Sequence, residues 1–168
     1  VNFLKNISGY FYGAPIIKQK LSDCKETSQY IKNLKSYPCY DGVDTKLFTY
    51  KKYSKNIKTK KKLKVGWIGN SDPLAHGLNK GFKEIKHTIE SGLHDKFEFI
   101  PCDSHTQERI SHNKIPEYIH SIDIIVCFSY AEGTPNQVLE ASSCGRAWIS
   151  TNVGIVETLN TTIQNSPC

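Results

Sequence analysis

Asp123-Ile124-Ile125-Val126-Cys127-Phe128, followed at once by Ser129-Tyr130-Ala131-Glu132-Gly133-Thr134-Pro135-Asn136-Gln137-Val138-Leu139-Glu140-Ala141, decides the architecture. The first six residues are mostly β-branched and apolar without alternation, as in a strand covered on both faces. The second stretch opens a helix over about 135–144. Thr134 stands as its N-cap, Pro135 at its first position, and Gln137 as the capping-box partner.

The same alternation extends outward. Lys64 to Gly69 is a short apolar run ending in a Gly-Asn-Ser turn, which suits a buried strand. Phe82, Ile85 and Ile89 recur at helical spacing, predicting a helix over 80–92 that stops near Gly92. Phe97 to Ile100 reads as a strand, Pro116 to Ile122 as a short helix with proline near its start, and Ala147 to Ser150 as a strand. Strands and helices in this order predict an α/β fold: a Rossmann-like parallel sheet with helices on both faces. Ligands of such sheets bind at the carboxyl ends of the strands. Residues 69–80, 103–111, 129–137 and 151–157 are therefore of interest.

The chemistry of 129–141 follows from its geometry. A helix start at a strand's carboxyl end offers free backbone N–H groups and a partial positive charge, a natural phosphate site. Gly133 permits close approach of the backbone to a ligand, whereas a Thr134 cap would occupy one of the donors. Glu132 precedes the helix, and Glu140 lies ~7.5 Å along its axis from Pro135. A diphosphate-bearing ligand at the helix start would meet one carboxylate at each end, and sugar hydroxyls make charge-assisted bonds to carboxylates. Spacing alone fits a loop residue and a solvated helix charge equally well.

Composition narrows the alternatives. The 168 residues suffice for one domain with its own core. No run approaches the ~18 apolar residues of a membrane span, and the start on Val1 lacks a signal-peptide pattern. That start, without methionine, is expected of a piece of a longer chain. The cysteines at 24, 39, 102, 127, 144 and 168 form no C-x-x-C pair and read as reduced thiols in a cytoplasmic protein. Cys102 and His105 have the spacing of half a metal site, but no second pair accompanies them, so no metal is expected. Gly66-x-x-Gly69 falls short of a dinucleotide fingerprint. Charge is uneven: residues 51–64 hold eight lysines and no acid in a chain of net charge +6, so the remainder is slightly acidic. We divide the chain into a mixed segment 1–50, a Lys-rich linker 51–62, and a Rossmann-like domain 63–168 expected to be cut short at its C-terminus. The lysines read either as a solvated linker or as a peripheral membrane contact through Lys51–Lys64, at ~1 kcal/mol per lysine. Nucleic acid is not expected, since only Tyr53 is available for stacking and arginine is absent from the run.

The stretch E-G-T-P-N-Q-V-L-E-A resembles the E-x7-E motif of retaining glycosyltransferases with two Rossmann-like domains (GT-B, glycosyl transferases group 1). Other segments are similar in the right order. They are Asp41-Gly42-Val43-Asp44 with Phe48, Val65 to Gly69 with Lys80-Gly81, Ile119 to Ser129, and Thr151 to Gly154 with Glu157. The likeness spans about 41–158. It implies a C-terminal donor-binding domain, with residues 1–50 a remnant of the N-terminal domain that carries the acceptor site. The roles it implies are catalytic for Glu132, on the donor sugar hydroxyls, and for Lys80, on the leaving diphosphate. Glu140 would hold the ribose, and Gly69, Asn70, Gly133, Thr134, Pro135, Asn136, Gln137 and Val138 would line the substrate. Asn70 stands where the family usually has an arginine, which removes one phosphate cation. The implied reaction is retaining transfer of a hexosyl group from a UDP- or GDP-sugar to a glycan or lipid-linked acceptor, in polysaccharide biosynthesis. It would need no cofactor or metal and would run in the cytoplasm or at the inner membrane face. The chain alone is expected to bind the nucleotide-sugar but transfer little without the N-terminal domain of the same enzyme. The alternatives are a nucleotide-sugar epimerase-like enzyme and a polyanion-binding or membrane-binding module using the lysine run.

Overall fold

The computed structural model describes residues 6–54, 61–74 and 77–159. Six residues of the lysine run, 55–60, lie outside them. The chain divides into two compact units. One comprises Val1–Asp41, Glu132–Pro135 and Asn152–Cys168; the other Gly42–Ala131 and Asn136–Thr151.

In the first unit, β1 (Gly9–Tyr12) and β2 (Lys35–Pro38) pair in parallel. They are joined through α1 (Pro15–Asp23) and α2 (Lys25–Ile31). Pro15 opens α1, where its missing N–H costs nothing. The backbone N–H of Cys24 closes it on Lys20 O at 3.1 Å. Ala14 and Ile31 are buried in this unit. Neither strand is evident in the sequence: Gly-Tyr-Phe-Tyr and Lys-Ser-Tyr-Pro have no clean alternation, and the pair has no further strand among the described residues.

The second unit holds four parallel strands: β3 (Leu63–Gly69), β4 (Phe97–Asp103), β5 (Ile124–Cys127) and β6 (Ala147–Ser150), in the order β4-β3-β5-β6. Alternation along the strands separates two cores. Val65, Trp67, Val126 and the partly buried Phe97, Phe99 and Ile124 pack with Ile85 and Ile89 from α3 (Phe82–Thr88) and the π-turn after it. Ile125, Cys102, Ile68, Ile100 and Trp148 point the other way. They meet Ile115 and Ile119 of α4 (Ile115–Ser121) and Ala141 of α5 (Asn136–Ser143). Helices therefore cover both faces, as expected. β3 connects outward to β4, and the chain then returns to place β5 on β3's other side. The switch point thus lies at the carboxyl end of β3, where open α/β sheets bind ligands.

Residues 42–53 are built into this unit. Phe48 is 1% exposed in the α4–α5 core. The Asp44 carboxylate accepts from the N–H groups of Lys46 and Leu47, at 2.9 and 3.2 Å. Lys51 N–H donates to Cys144 O, and the Tyr53 hydroxyl donates to Asp123 at 2.7 Å. Lys51, Lys52, Lys61 and Lys62 are exposed. Lys61 and Lys62 immediately precede the amino end of β3, ~20 Å from its carboxyl end.

Candidate nucleotide cleft

An open cleft of about 640 Å³ lies at the carboxyl ends of β3 and β4 and the start of α5. That volume suits a nucleotide-sized ligand. Its walls include Gly69, Asp103, Arg109, His112, Gln137 and Glu140, and Asn136 stands at the helix start. A smaller side cavity of about 190 Å³ shares Asn136, His112 and Glu140 and reaches Gly42, Val43, Asp44 and Phe48. Residues Gly42 to Asp44, Phe48 and Glu140 therefore border one space.

Asp103 organises the floor. Buried at the end of β4, it accepts from the Ser71 N–H (2.9 Å) and hydroxyl (2.6 Å), the His105 N–H (3.1 Å) and the Thr106 hydroxyl (2.8 Å). Burial alone would push this carboxyl up. The donors from Ser71, Thr106 and His105 outweigh it and hold the carboxyl below its ordinary value. Glu140 is different: burial raises its pKa, and the nearby His112 offsets only part of that. It is a poorly solvated carboxylate that gains from hydroxyl or N–H donors. The His112 ring packs edge-on against Phe48 with centroids 5.3 Å apart.

The structure brings together some of the sequence-predicted residues and disperses others. Gly69, Asn136, Gln137 and Glu140 line the cleft. Val138 is fully buried, so its side chain belongs to the core. Asn70 turns its side-chain oxygen back on the Asp72 N–H at 2.8 Å, a local Asx-turn, and is not among the cleft-lining residues. Lys80 ends a 3₁₀ turn, Gly77–Lys80, two residues before α3, and is not in the helix's first turn. Gly81 intervenes with φ of +64°, and the Lys80 carbonyl accepts from the Trp67 indole N–H at 3.1 Å. Glu132, Gly133, Thr134 and Pro135 fall in the first unit. There Gly154 (φ +57°) brings its Cα so close that a Cβ would stand 2.0 Å from Gly133 O.

The expected cap on α5 is not formed. The helix begins at Asn136, so Pro135, which has no side-chain acceptor, takes the position before it. The buried Thr134 hydroxyl has no hydrogen-bond partner, nor does the Gln137 amide nitrogen. The hydroxyl half of the capping box is not made, so the first-turn N–H groups are not claimed by Thr134.

Sequence reasoning pointed to the 103–111 loop without assigning roles to Asp103, Arg109 or His112. A lone aspartate at a strand's carboxyl end was the available signal. Among the described residues no group of three or more His, Cys, Asp or Glu side chains is arranged to hold a metal ion, and no helix is long and apolar enough to cross a membrane. The five described cysteines are unpaired.

The family profile described as "Glycosyl transferases group 1" matches residues 40–165. No curated protein sequence matches the chain significantly. Among solved structures, sucrose-phosphate synthase from Thermosynechococcus elongatus matches with a TM-score of 0.61 and 17% identity, covering 94% of this chain and 44% of that one. The C-terminal domain of a glycosyl transferase group 1 family protein (LpcC) from Francisella tularensis matches with a TM-score of 0.43 and 19% identity, covering 74% and 89%. The first likeness shows a shared fold, that of GT-B glycosyltransferase domains. This chain spans less than half the length of the synthase.

Proposed function

We propose, from the premise that this chain belongs to the glycosyl transferases group 1 family, that it is the donor-binding domain of a retaining glycosyltransferase. The observation that carries the reading is Glu140. It is a half-buried carboxylate on the cleft face of α5, one turn from the helix start and at the carboxyl end of the switch-point strand. A nucleoside diphosphate matches both features: its phosphates suit the helix N–H groups and its hydroxyls suit the carboxylate.

On this reading the donor is a UDP- or GDP-sugar, and no metal or other cofactor takes part. Glu140 holds the ribose, while the backbone of Gly133 to Val138 faces sugar and diphosphate. Glu132 holds hydroxyls of the donor sugar, and Lys80 neutralises the departing diphosphate. The chain's contribution is orientation and stabilisation of charge on the leaving group. The acceptor, a glycan or lipid-linked sugar of polysaccharide biosynthesis, binds mainly to an N-terminal domain, and the reaction runs in the cytoplasm or at the inner membrane face. Titration with UDP, GDP, ADP and their sugars tests this. Micromolar-to-millimolar binding that is lost in Glu140→Ala and nearly independent of salt supports it. Absence of binding to every nucleotide refutes it. Release of the sugar to an acceptor, instead of inversion at one of its carbons, separates a transferase from an epimerase-like enzyme.

A membrane contact through Lys51–Lys64 is a separate proposal. Lys51, Lys52, Lys61 and Lys62 lie toward the amino end of the sheet, away from the cleft, so a contact there would tether the domain without presenting an acceptor to Glu140. Sedimentation with anionic vesicles that falls steeply with salt supports it, and equal sedimentation with neutral vesicles removes it.

A further inference from the structure

Gln137 and Glu140 are three residues apart on α5 and line the same cleft, so their side chains share one face of the helix. Gln137 is 7% exposed, and its buried amide nitrogen has no hydrogen-bond partner. An unbonded buried amide destabilises a fold, yet this one is kept in a cleft wall beside a carboxylate. The ionised carboxylate of Glu140 only accepts, and the amide nitrogen only donates. A phosphate, itself an acceptor, would satisfy the amide but not the carboxylate. A hydroxyl can do either, because its hydrogen donates while its oxygen accepts. Two adjacent hydroxyls satisfy both side chains together.

We propose that Gln137 is a specificity-determining residue: its amide donates to one oxygen of a vicinal diol whose other hydroxyl donates to Glu140. The proposal rests on the sugar-nucleotide reading above. The diol belongs either to the ribose or to the transferred sugar. A ribose diol makes the site one for ribonucleotides, discriminating against 2′-deoxy and 3′-deoxy nucleotides.

Isothermal titration of the full chain tests this with UDP, GDP and ADP, then with the 2′-deoxy and 3′-deoxy forms of whichever binds tightest. The parent chain is expected to bind the ribonucleotide about tenfold more tightly than either deoxy form, the loss of roughly one hydrogen bond. In Gln137→Leu the preference over the deoxy form that lacks the oxygen held by Gln137 falls to near one, because ribonucleotide affinity drops about tenfold while that form changes little; the preference over the other deoxy form, read by Glu140, is kept. The thermal midpoint of Gln137→Leu stays level or rises, since an unsatisfied buried amide has gone. If the parent does not discriminate ribose from deoxyribose but does discriminate UDP-glucose from UDP-2-deoxyglucose, and Gln137→Leu abolishes that, the diol is the sugar's. The proposal is overturned if nucleotides bind and neither diol is discriminated. It is also overturned if Gln137→Leu lowers stability and weakens every ligand equally, as a packing residue would. If none of the three nucleotides binds, the sugar-nucleotide reading itself has failed.

Discussion

Asp103 accepts both the backbone N–H and the hydroxyl of Ser71, at 2.9 and 2.6 Å, binding the loop after β3 to the end of β4. Thr106 and His105 supply two further donors. Asp103→Asn turns an amide toward some of these donors and is expected to cost about 2–4 kcal/mol, measured by urea denaturation. The acid side follows from the lowered carboxyl. Its stabilisation is complete above the unfolded-state pKa and is lost as pH falls through the lower folded value. The parent should therefore lose its advantage over Asp103→Asn only below about pH 4.

Glu140 has the opposite sign. Burial raises its pKa, so its favourable contribution is present at low pH and lost as pH rises through the folded value. Glu140→Gln is expected to raise the thermal midpoint at pH 7 while weakening nucleotide binding by tenfold or more. The affinity gap between parent and variant should close as pH falls into the range where Glu140 protonates, above the ordinary glutamate range. Titrations from pH 4.5 to 8 check both halves.

Lys80 is held through its backbone. Trp67 donates to its carbonyl, and Tyr130 N–H donates to the neighbouring Asn79 carbonyl at 2.8 Å. Gly81 follows at φ +64°, where a Cβ would stand 2.2 Å from Phe128 O. Gly81→Ala combines left-handed strain with a backbone clash and should cost about 3 kcal/mol or more, seen as a large drop in thermal midpoint.

Arg146 secures the end of α5 away from the cleft. Its guanidinium donates to the carbonyls of Lys51 (2.9 Å), Gly145 (3.2 Å), Cys144 (3.4 Å) and His120 (3.3 Å) and lies 5.5 Å from the Tyr53 ring. Arg146→Met leaves those carbonyls without their donor, at about 2–4 kcal/mol. Nucleotide affinity of the folded fraction should be unchanged, since Arg146 is not among the cleft-lining residues. Calorimetry on the same samples separates the two effects.

The sheet was legible because its central strands, β3 and β5, are covered on both faces. Ile124 to Cys127 and Ala147 to Ser150 fall inside the predicted runs, and continuous apolar sequence has few other uses. The helix read over 80–92 is interrupted: α3 ends at Thr88 and a π-turn carries the chain to Leu93, a change of hydrogen bonding that residue periodicity does not register. β1 and β2 were missed because half-exposed Lys, Ser, Tyr and Pro do not alternate. In the site, Gln137 and Glu140 were visible through their motif spacing. Thr134 was misread because the helix starts one residue later than Pro135 suggested. Asp103 and His112 act through partners at 71 and 48, distances along the chain that a local pattern does not cross.

Amide chemical-shift mapping during titration with a nucleoside diphosphate tests the central claim most directly. Shifts concentrated at Gly69, Asn136, Gln137 and Glu140, and abolished in Glu140→Ala, are the expected result. Shifts confined to Lys51, Lys52, Lys61 and Lys62, or absent from the start of α5, would contradict a donor site in this cleft.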